Sequence, residues 1–148
     1  MKARDLMTSN PEVVTPDDPL TRAAQIMRDI NVGIVPVVED RSSMRLQGVI
    51  TDRDIAIRHV AEGHQRECLV RDHMTSRDLD AVHPDADERE VFRLMERDRV
   101  RRIPVVEEDR RLVGIIAQAD IAARLGSRKP REVEEVVERI SEPGHPER

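Results

Sequence analysis

The chain has 148 residues and a formal net charge of −5, a length that suits one domain or two small halves sharing a core. The acidic balance argues against long-range attraction to nucleic acid or an anionic membrane, and Phe92 as the lone aromatic leaves nothing to stack bases on. Cys68 alone excludes an internal disulfide, no apolar run approaches the roughly 20 residues that span a bilayer, and the charged opening Met1-Lys2-Ala3-Arg4-Asp5 predicts a cytoplasmic protein with no secretory leader.

In chain order, a short extended piece at Val13-Val14-Thr15 leads into a turn rich in Asp and Pro. Leu20, Ala23, Ala24, Met27 and Ile30 then fall at helical spacing, with Asp17 and Asp18 placed to cap that helix. Two dense β-branched runs, Ile34–Val38 and Leu46–Thr51, predict strands covered on both faces. A second helix is expected over Asp52–Glu62, and Gly63 with its polar neighbours reads as a linker.

The same order then returns. Asp5-Leu6-Met7-Thr8 recurs as Asp72-His73-Met74-Thr75, and Val35-Pro36-Val37-Val38 as Ile103-Pro104-Val105-Val106. Leu46-Gln47-Gly48-Val49-Ile50 recurs as Leu112-Val113-Gly114-Ile115-Ile116, and Asp54-Ile55 as Asp120-Ile121. Collinear matches at nearly one spacing identify a duplication. The second copy therefore carries an extended piece at Ala81-Val82, then a helix through Val91, Leu94 and Met95 capped by Asp85 or Asp87. Strands Arg102–Val106 and Leu112–Ala117 and a helix over Gln118–Leu125 follow. Pro36 and Pro104 each remove a ladder donor and mark a bulge or a strand edge. A tail helix from Pro130 to about Ser141 carries Val133, Val136, Val137 and Ile140 on one stripe, free to dock on the body or on a partner, and Glu142–Arg148 read as a frayed end.

The expected fold is thus mixed α+β: two β-α-β-β-α repeats, 1–66 and 67–128, packed sheet to sheet with pseudo-twofold symmetry, and a C-terminal helix and tail over 129–148. Each copy of about 65 residues is marginal alone, which favours a shared core. Met7, Met27, Met74 and Met95 read as core packing. His59, His64, His73, His83 and His145 show no metal-ligand spacing such as His-x3-His. His64 and Cys68 stand four apart, and read as a surface pair, so no metal is expected. No Gly-rich phosphate loop, catalytic carboxylate pair or nucleophile triad is visible, and the chain is not expected to be an enzyme.

The paired Val-Pro-Val-Val and Ile-Pro-Val-Val strands, together with the Gly48–Asp54 stretch and its Thr51-Asp52-Arg53-Asp54-Ile55 phrase, resemble the tandem CBS domain, or Bateman module, over about residues 3–125. The resemblance extends to small stand-alone bacterial CBS pairs. It implies a cleft between the repeats that holds AMP, ADP, ATP or a related adenosyl ligand, and assembly as a homodimer. It also implies transmission of ligand occupancy to a regulated partner protein.

The chemistry of such a ligand can be matched to residues. A ribose diol is best held by a carboxylate, and Asp54 and Asp120 each follow a strand at a helix start. Thr51 lies beside helix N-terminal donors suited to phosphate. Val49 and Val82 can line an apolar adenine slot, and Arg101 and Arg102 can grip phosphate oxygens. By the resemblance, one site combines Thr51 and Asp54 with Arg101 and Arg102. The other combines Asp120 with Ala117, Gly33 and Ile34, which offer neither hydroxyl nor charge. One competent anionic-nucleotide site per chain is therefore expected. Because alternate residues of a strand face opposite ways, at least one of Arg101 and Arg102 is expected to be a solvated or ion-paired arginine. The alternatives are an interaction or dimerisation module without a ligand and, more weakly, a metal- or redox-responsive protein using His64 and Cys68.

Overall fold

The computed structural model describes residues 1–141, so the predicted frayed end at 142–148, with His145, lies outside the described residues. The fold is mixed α and β. Its elements are α1 (Ala3–Leu6), β1 (Thr8–Ser9), α2 (Leu20–Ile30), β2 (Ile34–Val38), β3 (Leu46–Thr51) and α3 (Asp52–Asp54), which continues as a π-helix over Ile55–Val60. Then come α4 (Val70–His73), α5 (Glu88–Asp98), β4 (Arg102–Val106), a 3-10 turn at Glu108–Arg110, β5 (Leu112–Ala117), α6 (Gln118–Leu125) and α7 (Pro130–Ser141). Among the described residues no helix is long and apolar enough to cross a membrane.

The chain forms two compact units. One comprises Pro11–Leu79 with Glu108–Leu112. The other comprises Met1–Asn10, Asp80–Glu107 and, among the described residues, 113–141. In the first, β2 and β3 pair antiparallel from Ile34↔Thr51 to Val38↔Leu46, with a bulge between Val37 and Val38. Val14 lies on the free side of β2, donating to the Pro36 carbonyl at 3.1 Å and accepting from the Val38 N–H at 2.9 Å. Pro36 turns its missing donor to that side, which stops the pairing after a single bridge. The open side of β3 is taken by Thr75, which exchanges two backbone hydrogen bonds with Val49 at 2.8 and 2.9 Å. Val14, Leu20, Ala23, Ile26, Val35 and Ile50 form the aliphatic core.

The second unit repeats this plan. β5 lies between β1 and β4, Thr8 pairs with Ile115, and Val82 makes the parallel bridge to Val105. Thr8 and Thr75 are equivalent in the duplication, as are β5 and β3. The segment ahead of each repeat therefore completes the sheet of the unit built on the other. The buried core is centred on Met95, Ile103, Val105, Ile116, Ile121 and Leu125. α7 buries Val133, Val136 and Ile140 in this core, packing on α5 and α6, so the tail helix docks on its own chain.

Three local expectations are corrected. Ile30, in the last turn of α2, is half exposed and lies outside the apolar stripe. Asp18 does not cap α2: its carboxylate accepts the Thr15 N–H at 2.8 Å, and Pro19 takes the cap position. Leu20 N–H, the free donor that results, is satisfied by the Cys68 carbonyl at 2.8 Å. Asp87 does cap α5, through the Arg89 N–H. The helix expected over 52–62 is α-helical for its first turn only. Ala61 and His64 then bond back five residues, to Ala56 and His59.

Candidate functional site

Each repeat makes the same turn from its last strand into its last helix. Thr51 ends β3 in extended conformation; its Oγ1 accepts the Asp54 N–H at 3.0 Å, and Asp54 Oδ2 accepts the Thr51 N–H at 3.0 Å. This reciprocal cap satisfies two helix-start donors. Asp52 N–H closes the turn on the Gly33 carbonyl at 2.9 Å. In the second repeat Gln118 N–H bonds the Arg101 carbonyl at 2.8 Å, and Asp120 Oδ2 accepts the Ala117 N–H at 2.8 Å. Ala117 has no hydroxyl, so half of the cap is missing there.

The expected site residues divide between the units: Val49, Thr51 and Asp54 fall in one, Val82, Arg101, Arg102 and Asp120 in the other. Asp54 is 8% exposed. Its carboxylate also accepts from Thr75 Oγ1 at 3.3–3.4 Å and lies 3.7 Å from Arg58 Nε. Arg58 continues to the His73 and Met74 carbonyls at 3.4 and 3.3 Å. A carboxylate has about four acceptor positions, so part of its capacity is already used within the unit. Val49 is 7% exposed and Val82 2%. Val82 belongs to the core of its unit and bonds to β4, whereas Val49 is bonded to Thr75 and lies outside the core cluster of its own.

Arg101 and Arg102 border one open concavity of about 390 Å³ with Ala117, Gln118, Ala119 and Ala122. Arg101 occupies the bend before β4 begins, where strand alternation does not apply, and it is exposed to solvent, as expected of at least one of the pair. Among the described residues neither guanidinium has a hydrogen-bond or ion-pair partner. Asp120 is not among the residues bordering the concavity.

A second cluster joins His59 and His73 to His64 and Cys68, the pair named in the weakest of the alternative readings. His59 Nδ1 and His73 Nε2 are 3.2 Å apart, and Cys68 Sγ and His64 Nδ1 are 3.6 Å apart. The four ligating atoms all lie within 4.8 Å of one another. The reading of His64 and Cys68 as a surface pair holds for His64, which is exposed, and fails for Cys68, which is 1% exposed; residues 64–69 form no helix. His73 is 4% exposed, and burial, then the neighbouring His59 and His64 rings, holds its pKa below the usual histidine value. The histidines are spread over a π-helix, a loop and α4, so the signal available in the sequence was their density between residues 59 and 73.

Comparison with known proteins places these features. The sequence profile of the CBS domain matches the chain twice, over residues 3–59 and 70–127. Hypoxic response protein 1 of Mycobacterium tuberculosis is 38% identical over 123 residues, 83% of this chain and 84% of that protein. The crystal structure of hypoxic response protein I with two coordinated zinc ions superposes with a TM-score of 0.74 at 37% identity, covering 84% of this chain and 99% of that one. CBSX2 in complex with AMP superposes with a TM-score of 0.72 at 26% identity, covering 86% and 98%. The CBS pair of MJ0100 in complex with 5′-methylthioadenosine and S-adenosyl-L-methionine gives a TM-score of 0.72 at 28% identity, covering 87% and 98%.

Proposed function

This chain belongs to the CBS-domain family as a tandem pair, and on that premise we propose that it is a non-enzymatic sensor of an adenine nucleotide or other adenosyl ligand. The observation that carries the reading is the concavity bordered by Arg101 and Arg102, whose guanidiniums have no partner among the described residues, in a fold whose solved relatives include complexes with AMP and with methylthioadenosine and S-adenosylmethionine. The two arginines supply the phosphate grip. Asp54 supplies ribose acceptors from the capacity its internal bonds leave free, Thr51 a hydroxyl at the helix start, and Val49 and Val82 the apolar flank. Ligand occupancy shifts the chain toward its bound state, and this shift is what a partner protein would read. The protein acts in the cytoplasm as a homodimer. Asp120, beside Ala117 with no hydroxyl, serves a weaker site for uncharged adenosyl ligands.

Calorimetry with AMP and ATP tests the assignment. One anionic-nucleotide site per chain is expected. Arg102→Gln is expected to weaken AMP binding roughly 10- to 100-fold, the equivalent of about 1.5–3 kcal/mol for a charge-assisted hydrogen bond, and Asp54→Ala by a similar factor. Two equivalent sites, or binding indifferent to both substitutions, overturns the assignment. The engagement of Asp54 by Thr51, Thr75 and Arg58 favours a second reading, an interaction module whose ligand site has lapsed. That reading predicts a flat thermal-shift response to AMP, ADP, ATP, S-adenosylmethionine and NADH.

A further inference from the structure

The geometry of the Pro11–Leu79 unit points to a function separate from the adenosyl reading: we propose that His59, His64, Cys68 and His73 bind one Zn²⁺ per chain. None of these residues belongs to the nucleotide assignment. Three imidazoles and one thiol are a zinc donor set, with the soft thiolate and borderline imidazoles discriminating against Mg²⁺ and Ca²⁺, which take oxygen ligands.

Two of the spacings are those of a tetrahedral ion. Zn–N bonds of about 2.0–2.1 Å and a Zn–S bond of about 2.3 Å place neighbouring nitrogens about 3.3–3.4 Å apart and a nitrogen about 3.6 Å from the sulfur. The pairs 3.2 Å and 3.6 Å apart lie close to those values; the remaining pairs fall within 4.8 Å, so the ion would draw those donors inward. The ring centroids of the three histidines are 5.1–5.6 Å apart, so the imidazoles converge from three directions.

The backbone holds the donors in place without the ion. The Cys68 carbonyl accepts the Leu20 N–H at the start of α2, and the neighbouring Glu67 carboxylate binds the Thr21 hydroxyl at 2.6 Å. The His73 carbonyl accepts from Arg58. His59 rides on the π-helix, and its carbonyl accepts the His64 N–H at 3.2 Å, so the wide turn ties the first two ligands together. Wide helical turns recur at functional sites. The equivalent helix of the second repeat, α6, is regular and has no histidine. Cys68 and His73 are buried and His64 is exposed, giving a closed inner half with an entry side toward solvent. Four protein ligands leave no open coordination position, so the role is structural or regulatory and not catalytic. Binding deprotonates the Cys68 thiol and releases that proton to solvent.

The test uses the full-length, tag-free chain, stripped with a chelator and then titrated with Zn²⁺ by calorimetry and with Co²⁺ by absorption. One metal per chain is expected, together with a raised thermal midpoint in Zn²⁺. The Co²⁺ form should show tetrahedral d–d bands and a thiolate-to-metal charge-transfer band. Cys68→Ser is expected to abolish the charge-transfer band. His64→Gln, at an exposed position that leaves the fold intact by circular dichroism, is expected to weaken Zn²⁺ binding roughly tenfold or more. Absence of stoichiometric metal in the wild type, an octahedral Co²⁺ spectrum without charge transfer, or equal affinity in His64→Gln overturns the proposal. If Cys68→Ser does not fold, the His64→Gln affinity and the wild-type spectrum decide it.

Discussion

Gly48 and Gly114 occupy the same position in the two repeats, and the structure gives them different costs on substitution. A Cβ built on Gly48 would lie 2.5 Å from the Thr75 carbonyl oxygen and 3.3 Å from its carbon. That oxygen accepts the Val49 N–H at 2.9 Å, so it can retreat only by opening the two bonds that attach the 73–75 segment to β3. Overpacking costs about 1–3 kcal/mol, and the two backbone bonds contribute about 1 kcal/mol each. Removing glycine's excess freedom in the unfolded chain returns roughly 0.4–1 kcal/mol. Gly48→Ala is therefore expected to destabilise its unit by about 2–4.6 kcal/mol. At Gly114 the nearest atom is Met7 Sδ, also at 2.5 Å, with the Thr8 carbonyl oxygen at 3.0 Å. A thioether at the end of a flexible side chain can swing aside, and the expected cost is about 1–2 kcal/mol. Urea unfolding of the two variants, followed by circular dichroism with separate fits for each transition where two appear, measures the difference. Gly114→Ala proving as costly as Gly48→Ala, or Gly48→Ala matching the wild type, would refute the reasoning that backbone, not side chain, sets the penalty.

Other expectations can be checked with the same apparatus. Burial raises the pKa of Glu88, but hydrogen bonds from Lys129 Nζ at 2.7 Å and the Met1 amino group at 3.3 Å outweigh it, and the net shift is below the usual glutamate value of 4.5. A depressed folded pKa contributes stability that is present above pH 4.5 and lost as pH falls through the folded value. Glu88→Gln is expected to lower stability at pH 7 by about 1–2 kcal/mol and to flatten the acid limb of the stability–pH curve; parallel wild-type and variant curves below pH 4.5 would refute it. At the duplicated strand–helix turn, Thr51→Ala removes a side-chain cap and is expected to cost about 1 kcal/mol, whereas Ala117→Thr adds the missing hydroxyl to α6 and is expected to stabilise by a similar amount. Thermal midpoints moving in the same direction for both would sink that pairing.

These residues also show how far the sequence reaches. The strands over Ile34–Val38, Leu46–Thr51, Arg102–Val106 and Leu112–Ala117 form where they were expected, because β-branched runs between turn residues carry their own signal. α6 and α7 were legible for the corresponding reason, an apolar period over at least two turns. α1 and α4 are four residues each, too short for a period to declare itself, yet they set the architecture by delivering Thr8 to β5 and Thr75 to β3. The duplication made these segments visible as repeated letters without revealing which sheet each would complete. Gly48 and Gly114 leave room for a crossing backbone in both sheets alike, so the choice between them is made by tertiary contact.

The two candidate sites were legible to different degrees for a related reason. Thr51 and Asp54 are three apart at a strand–helix junction, a spacing that predicts a reciprocal cap with or without a ligand, and the structure forms that cap. The sequence therefore locates the turn but leaves its spare acceptor capacity to be measured. His59, His64, Cys68 and His73 follow no helical or strand period, since a π-helix, an irregular loop and a single-turn helix separate them. Convergence of their donor atoms depends on the Leu20–Cys68 and Arg58–His73 hydrogen bonds, which join residues 48 and 15 positions apart. No reading of local spacing contains such contacts. Arg58 and the 73–75 segment serve both places, holding the His73 carbonyl on one side and the Asp54 carboxylate on the other.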